Sequence, residues 1–197
     1  MSNDGDAIED AKAALRSRAR AQRAAIPATV SGSAADLAAA LFLAEVPLRP
    51  NEVVAGYWPI REELDCKPLL VKLVDSHQPV CLPVVQGPNL PLDFRLWEEG
   101  AALYPSGFGT LAPSELAPAV TPDVVVMPLL GFDSRGTRLG YGGGYYDRTL
   151  AGMKTRPRLV GYAYSAQELP AIPRAPHDLP LDAIVTERGV RRFEGAS

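Results

Sequence analysis

The sequence predicts an α/β fold: a single three-layer domain with a largely parallel, Rossmann-like central sheet flanked by helices. Three observations predict it. Short runs rich in β-branched residues, such as Val124-Val125-Val126-Met127, alternate with segments of helical spacing. Polar or glycine-rich loops follow the carboxyl ends of those runs, where open α/β sheets place their ligands. At 197 residues the chain suits one domain with a sizeable core, so 1–197 reads as one unit with frayed ends at 1–5 and 194–197.

Bulk composition excludes several classes. Hydrophobic residues at 47% and charged residues at 22% are ordinary for a soluble globular protein. A net charge of −3 gives no general reason to bind nucleic acid, so any attraction for polyanions is local. No apolar run approaches the roughly 18 residues needed to cross a bilayer. Cys66 and Cys81, the only two cysteines, show neither metal-ligand spacing nor a disulfide framework, and read as buried reduced thiols of a cytoplasm. Asp4, Asp6, Glu9 and Asp10 do not suit a secretory signal, and they argue against reading the Ala- and Arg-rich residues 11–25 as a mitochondrial leader. The excess of Arg over Lys and the abundance of Ala fit GC-rich coding and a bacterial cytoplasm.

In chain order, residues 6–25 predict a helix that Asp4 or Asp6 caps and Pro27 stops. Lys12, Arg16, Arg20 and Arg23 recur on it at helical spacing, as a solvated basic face or as a cationic arm for a polyphosphate. A second helix is expected over Ser33–Ala44, with Leu37, Ala40, Leu41 and Ala44 as its apolar face. Glu52–Tyr57 is a first strand ended by Pro59, and Trp58–Asp65 a loop. A helix over Lys67–Ser76 follows, entered through Asp65 and Pro68. Pro79–Val84 is the next strand, and Leu92–Trp97 alternates like a half-buried one. Residues 98–122, with Gly and Pro throughout, form a long irregular loop of the kind that is often functional. After Val124–Met127, helix is expected again from Asp147 to about Ala151, then strands at Leu159–Tyr164 and Ala183–Thr186. Between these lies Pro170–Pro180, in which His177 reads as an ordinary loop histidine.

The densest segment lies behind Pro128. From Arg135 to Arg148 the chain gathers arginines, tyrosines, an aspartate and the glycines Gly140, Gly142, Gly143 and Gly144. A strand, a glycine loop and a helix start are how α/β proteins hold phosphates, because backbone N–H groups converge on the anion and the helix terminus adds partial positive charge. Arg135, Arg138 and Arg148 bring cations, Asp147 a carboxylate, and Tyr141, Tyr145 and Tyr146 aromatic faces. The segment matches neither the GxxxxGK[ST] loop nor the dinucleotide GxGxxG pattern.

The run Pro128–Asp133, the segment Arg138-Leu139-Gly140-Tyr141-Gly142-Gly143-Gly144-Tyr145-Tyr146-Asp147-Arg148 and the tail Asp178-Leu179-Pro180-Leu181-Asp182 resemble the 5-formyltetrahydrofolate cyclo-ligase family. The resemblance spans Lys12 to Thr186, and the glycine-tyrosine segment is its most specific part. It implies ATP-dependent cyclisation of 5-formyltetrahydrofolate to 5,10-methenyltetrahydrofolate, with Mg2+ as cofactor and ATP as co-substrate. Lys12, Arg16 and Arg138 would then stabilise phosphate oxygens, and Leu139, Gly140, Tyr141, Gly142, Gly143, Gly144, Tyr145 and Tyr146 complete the ATP-binding set. Trp58 and Glu63 correspond to substrate-contacting positions, with Glu62 the rival of Glu63; Tyr141, Tyr145 and the glycines Gly142–Gly144 would also meet the folate. Asp147 is the first choice for magnesium and Asp178 the second, with Asp182 its rival. No protein nucleophile is implied. Family members often place an acid just before Pro113, where this chain has Ala112, so no contact is assigned there. The resemblance implies a monomeric cytoplasmic enzyme acting on small molecules, with no nucleic-acid or membrane partner. A non-catalytic folate- or nucleotide-binding protein, or a sugar-phosphate isomerase or acyl-transfer enzyme on a similar sheet, are the alternatives.

Overall fold

The structure is a computed structural model that describes residues 3–175 and 178–193. Of the ends expected to fray, 1–5 and 194–197, residues 1–2 and 194–197 lie outside the described residues, as does His177, while 3–5 belong to the first helix. Helices α1 (Asn3–Ala24) and α2 (Ala28–Glu45) lead into strand β1 (Val54–Ala55), helix α3 (Lys67–Asp75) and strands β2 (Val80–Val85) and β3 (Leu92–Trp97). Two short hairpins, β4 (Tyr104–Ser106) with β5 (Thr110–Ala112) and β7 (Gly131–Phe132) with β8 (Arg138–Leu139), bracket strand β6 (Val124–Met127). Helix α4 (Tyr145–Ala151) and strands β9 (Arg158–Tyr162), β10 (Ala183–Thr186) and β11 (Gly189–Arg192) complete the chain.

The seven-stranded sheet runs β11-β10-β9-β6-β1-β2-β3. The interior strands β10, β9, β6, β1 and β2 are parallel, while β3 and β11 close the two edges antiparallel. Val54 is registered with Val80 on one side and Val124 on the other. The chain therefore goes outward from β1 to β2 and returns to β6 on the opposite side of β1. Such a reversal opens a crevice between the two strands at their carboxyl ends.

Side-chain alternation splits the core into layers, since successive residues of a strand point to opposite faces. Val54, Val80, Leu82, Val124, Val126, Val160 and Val185 pack with Ala38 and Phe42 of α2 and Leu69, Leu70 and Leu73 of α3. Ala55, Cys81, Val125, Met127, Leu159 and Ile184 face the other way, towards Leu150 of α4 and Phe132. This is the three-layer arrangement expected from the sequence.

Several local expectations need correction. Helix α2 buries Ala34, Ala35, Ala38, Ala39 and Phe42, not the expected face; Leu37 is 50% exposed, Ala40 and Ala44 are exposed, and Leu41 is half-buried. Nearly every face of this helix is apolar, and the alanine side is the one that lets its backbone lie close to the sheet and α3. Pro27 opens α2 at its N-cap as well as following α1. Helix α3 is capped at Cys66, while Asp65 accepts the Lys67 N–H at 2.9 Å. The loop 98–122 contains the β4–β5 hairpin, and β11 adds a strand that the sequence did not announce.

The glycine loop does not follow β6 directly. The β7–β8 hairpin intervenes, and α4 starts at Tyr145 rather than Asp147. The buried Asp133 carboxylate ties the hairpin by accepting N–H groups of Arg135, Thr137 and Ile172 at 3.0–3.1 Å. Burial alone would raise its pKa, but these donors and the Arg135 guanidinium hold it below the ordinary carboxylate range. Arg135 thus serves this turn and not the ligand loop. Among the described residues no helix is long and apolar enough to cross a membrane.

Candidate active site

A cleft of about 770 Å³ opens at the carboxyl ends of β1, β2 and β6, where the strand order reverses. Tyr57 and Trp58 reach it from β1, Pro83 and Val85 from β2, and Met127 and Pro128 from β6. Lys12, Arg16, Trp58, Glu63, Asp178 and all of residues 138–147 line it. The residues singled out in the sequence, separated by more than 160 positions at the extreme, share one wall system. Lys12 and Asp178 are such an extreme pair, in direct contact across 166 positions.

Helix α1 lays one side along the cleft and leaves most of its other residues exposed. Its contacts with Leu130, Leu139, Leu169 and Ile172 run through Leu15 and Ala19. That packing carries the basic stripe into the site. The Lys12 ammonium, nearly buried, meets the Asp178 carboxylate at 2.5 Å and Glu9 at 3.4 Å. Arg16 donates from Nε to the Gly140 carbonyl at 3.2 Å and pairs with Glu9. Its guanidinium lies so close to Gly142 that an added Cβ would sit 3.3 Å from Cζ.

The loop itself uses glycine for backbone freedom at two places. Gly142 has φ +95° and Gly144, the N-cap of α4, has φ +64°; Gly140 and Gly143 do not need the left-handed region. Arg138 bonds Asp147 and the Leu179 carbonyl. Arg148 donates to the Gly143 carbonyl at 2.7 Å and lies 5.0 Å over the Tyr145 ring. Tyr145 also stacks edge-on with Phe108, centroids 5.0 Å apart, from the turn of the β4–β5 hairpin. On the opposite side, Trp58 packs edge-on against Trp97 at 6.1 Å.

Glu63 is the one carboxylate sealed into this wall. It is 8% exposed, accepts the Ile60 N–H at 2.9 Å on one oxygen and the Tyr141 hydroxyl at 2.5 Å on the other. Burial pushes its pKa above the usual carboxylate range, against the pull of those two donors and of Arg23 and Arg61. Its rival Glu62 has a side chain 59% exposed and does not line the cleft. Burial, with Glu63 second, raises the Tyr141 pKa, so the phenol keeps its proton and donates it.

For a metal, Asp147 and Asp178 are the cleft carboxylates in question; Asp182 lies outside it, bound to Arg156 and the Leu159 N–H. No group of three or more His, Cys, Asp or Glu side chains suited to a metal occurs among the described residues. Mg2+ takes one or two carboxylates and keeps waters and phosphate oxygens as its remaining ligands, so two cleft carboxylates are a compatible partial donor set, each engaged here by a cation, Asp147 by Arg138 and Asp178 by Lys12. The residues present fit that partial shell.

Sequence reasoning missed Arg61 and Phe108, which also line the cleft. Phe108 had a legible signal, an aromatic between Gly107 and Gly109 within the long loop. Arg61, inside a loop already singled out, had none beyond its neighbours.

A profile of the 5-formyltetrahydrofolate cyclo-ligase family matches residues 8–187. The 5-formyltetrahydrofolate cyclo-ligase of Escherichia coli K12 is 35% identical over 151 residues, covering 71% of this chain and 80% of that protein. Its namesake in Mycolicibacterium smegmatis is 32% identical over 149 residues, 71% of this chain and 76% of the relative. Among solved structures, the 5,10-methenyltetrahydrofolate synthetase of Aquifex aeolicus has a TM-score of 0.80 at 31% identity, over 93% of both chains. The Mycoplasma pneumoniae 5,10-methenyltetrahydrofolate synthetase, at 24% identity and TM-score 0.70 over 89% of this chain and 98% of that one, shares the fold.

Proposed function

Because this chain belongs to the 5-formyltetrahydrofolate cyclo-ligase family, we propose that it closes 5-formyltetrahydrofolate to 5,10-methenyltetrahydrofolate at the expense of ATP, releasing ADP and phosphate. One observation supports this reading above the others. The cations of α1 and the Gly140–Gly144 loop meet in a single cleft, beside a buried carboxylate at the strand-order reversal.

The chemistry asks little covalent work of the protein. The N5-formyl group is an amide, with a poorly electrophilic carbon and an oxygen that cannot leave. Transfer of the γ-phosphoryl group to that oxygen makes it a phosphate leaving group; N10 then attacks the carbon and gives up its proton to solvent, the ring closes and phosphate departs. Placement and charge stabilisation account for catalysis of such a transfer. In this reading Lys12, Arg16 and Arg138 neutralise phosphate oxygens, and the backbone of Gly140–Gly144 lies along the transferring group, with Leu139 and Tyr146 behind it. Trp58, Tyr141 and Tyr145 flank the folate, and Glu63 accepts hydrogen bonds from the pterin N–H groups. Asp147 and Asp178 would hold Mg2+, which when bound would offset charge on the phosphates.

The protein is read as a cytoplasmic monomer acting on small molecules. Two buried free cysteines and the modest net charge of −3 support the first and last parts of that reading. The direct experiment mixes the protein with magnesium-ATP and 5-formyltetrahydrofolate and follows the methenyl absorbance. Product that accumulates only with ATP present is expected. Binding of the folate without turnover would instead indicate a storage protein, and turnover without ATP an enzyme of another class.

A further inference from the structure

Arg23 closes the last turn of α1, and its side chain is 3% exposed. It does not line the cleft. It lies behind Tyr141, donating from Nη1 to the phenolic oxygen at 2.5 Å with its guanidinium 5.5 Å from the ring centroid. Tyr141 in turn donates to Glu63 at 2.5 Å. Arg23 also pairs with the exposed Glu62 side chain at 3.7 Å, and its buried Nε has no hydrogen-bond partner among the described residues. Burying a guanidinium is costly unless it is paired, and Tyr141 supplies both a hydrogen bond and a ring face to this one. Its position is explained by what it does to the phenol.

A tyrosine hydroxyl can donate or accept. With Arg23, which can only donate, on its oxygen, the Tyr141 proton has one direction left, towards Glu63. We propose that Arg23 is a positioning residue for the folate half of the site: it orients the Tyr141 hydroxyl as a donor and so holds the Glu63 carboxylate ionised and in place to read the pterin N–H groups. This rests on the folate reading of the cleft given above. The relay runs from α1, which also carries Lys12 and Arg16, so one helix sets both the phosphate cations and the pterin acceptor.

The groups around Glu63 decide the sign of any pH effect. Arg23 comes from α1, Arg61 and Glu62 from its own loop, Tyr57 from the end of β1, Cys66 from the start of α3, and Tyr141 and Tyr146 from the glycine segment. Of these only the two arginines are cations, and burial already works against ionisation. Removing Arg23 therefore moves Glu63 protonation towards neutral pH.

The test is a double-mutant cycle of Arg23→Met and Tyr141→Phe, with Arg23→Lys as the charge-conserving variant, assayed by methenyl formation and thermal melting. Arg23→Met should raise KM for 5-formyltetrahydrofolate roughly tenfold, as loss of a charge-assisted hydrogen bond does, and leave KM for ATP within about twofold. The acid limb of kcat/KM for the folate should move to higher pH, and Arg23→Lys should restore much of that limb. In the Tyr141→Phe background the Arg23→Met effect on folate KM should largely vanish. Equal rises in both KM values, an unmoved acid limb, or full additivity of the two substitutions would each overturn the relay and leave Arg23 a packing residue. If Arg23→Met does not fold, Arg23→Lys alone decides through its folate KM and pH limb. Absence of cyclo-ligase turnover in the unsubstituted protein would sink the folate reading itself, a result distinct from any of these.

Discussion

Gly142→Ala is the perturbation that joins backbone conformation to ligand chemistry most closely. The residue has φ +95°, a region that L-residues occupy at a cost of roughly 1–2 kcal/mol. The new Cβ would also sit 3.3 Å from Cζ, 3.4 Å from Nε and 3.5 Å from Nη1 of Arg16, so the guanidinium has to give way by a few tenths of an ångström. Arg16 is held by the Gly140 carbonyl at 3.2 Å and by Glu9 at 3.2 Å, and the first of these bonds belongs to the loop being strained. The stability term alone should lower Tm by about 2–8 °C, at roughly 2–4 °C per kcal/mol for a chain of this size. Misplacing the Arg16 fork should cost about 1.5–3 kcal/mol of charge-assisted bonding to a phosphate, which is roughly tenfold or more in KM for ATP. Initial rates of methenyl formation at varied ATP and saturating folate, with a melting curve on the same sample, measure both. A lowered Tm with unchanged KM for ATP would show that the loop is architecture and not a phosphate site. No change in either would refute the strain argument.

Other substitutions follow from the same geometry. Lys12→Ala should reduce kcat/KM for ATP by roughly 10–100-fold, the loss of one ionic hydrogen bond to phosphate, while KM for the folate moves little; equal losses for both substrates contradict its assignment. Asp147→Asn should melt near the parent temperature, its side chain being 38% exposed, but should shift the magnesium titration of activity several-fold. An unmoved titration removes Asp147 from the metal set. Glu63→Gln should raise KM for the folate roughly tenfold or more, whereas the exposed Glu62→Gln stays within about twofold; the reverse order would exchange their roles. Because burial raises the Glu63 pKa, its acceptor form is lost as pH falls through a value above the ordinary carboxylate range, so the acid limb of kcat/KM for the folate should lie above the roughly 4.3 of a free glutamate. A limb at or below that value would place the ionisation elsewhere.

The sequence was most legible where a single physical rule acts. Ala183–Thr186 has the bounds its continuous apolar run predicts, because the whole run is buried, and Leu92–Trp97 has the predicted bounds although its burial falls on Phe94 and Trp97 and does not alternate. Pro68, in the first turn of α3, marks its entry for an equally local reason. Helix α2 shows where such rules stop. Apolar on nearly all sides, it turned its alanines inward, a choice made by the space against the sheet and α3 that no periodicity records. The β7–β8 hairpin has strands of two residues each, too short for alternation to mark, and is tied by Asp133 accepting N–H groups of Arg135 and Thr137 in the turn and of Ile172, 39 positions away. In the site, the glycines, tyrosines and α1 cations stood out by crowding and spacing. Arg23 belongs to the same stripe as Lys12 and Arg16, yet lies behind Tyr141 and not in the cleft; helical spacing cannot distinguish a residue that lines a cleft from one that packs behind its wall. Arg135 shows the opposite error, a cation of the motif spent on a turn.

The path of the formyl oxygen tests the central claim most directly. With 5-formyltetrahydrofolate labelled with heavy oxygen in the formyl group, and unlabelled ATP and water, the account predicts one labelled oxygen in each phosphate released, at a one-to-one ratio with methenyl product. Unlabelled phosphate, with the heavy oxygen appearing in water, would mean that the triphosphate and the formyl group never meet in this cleft.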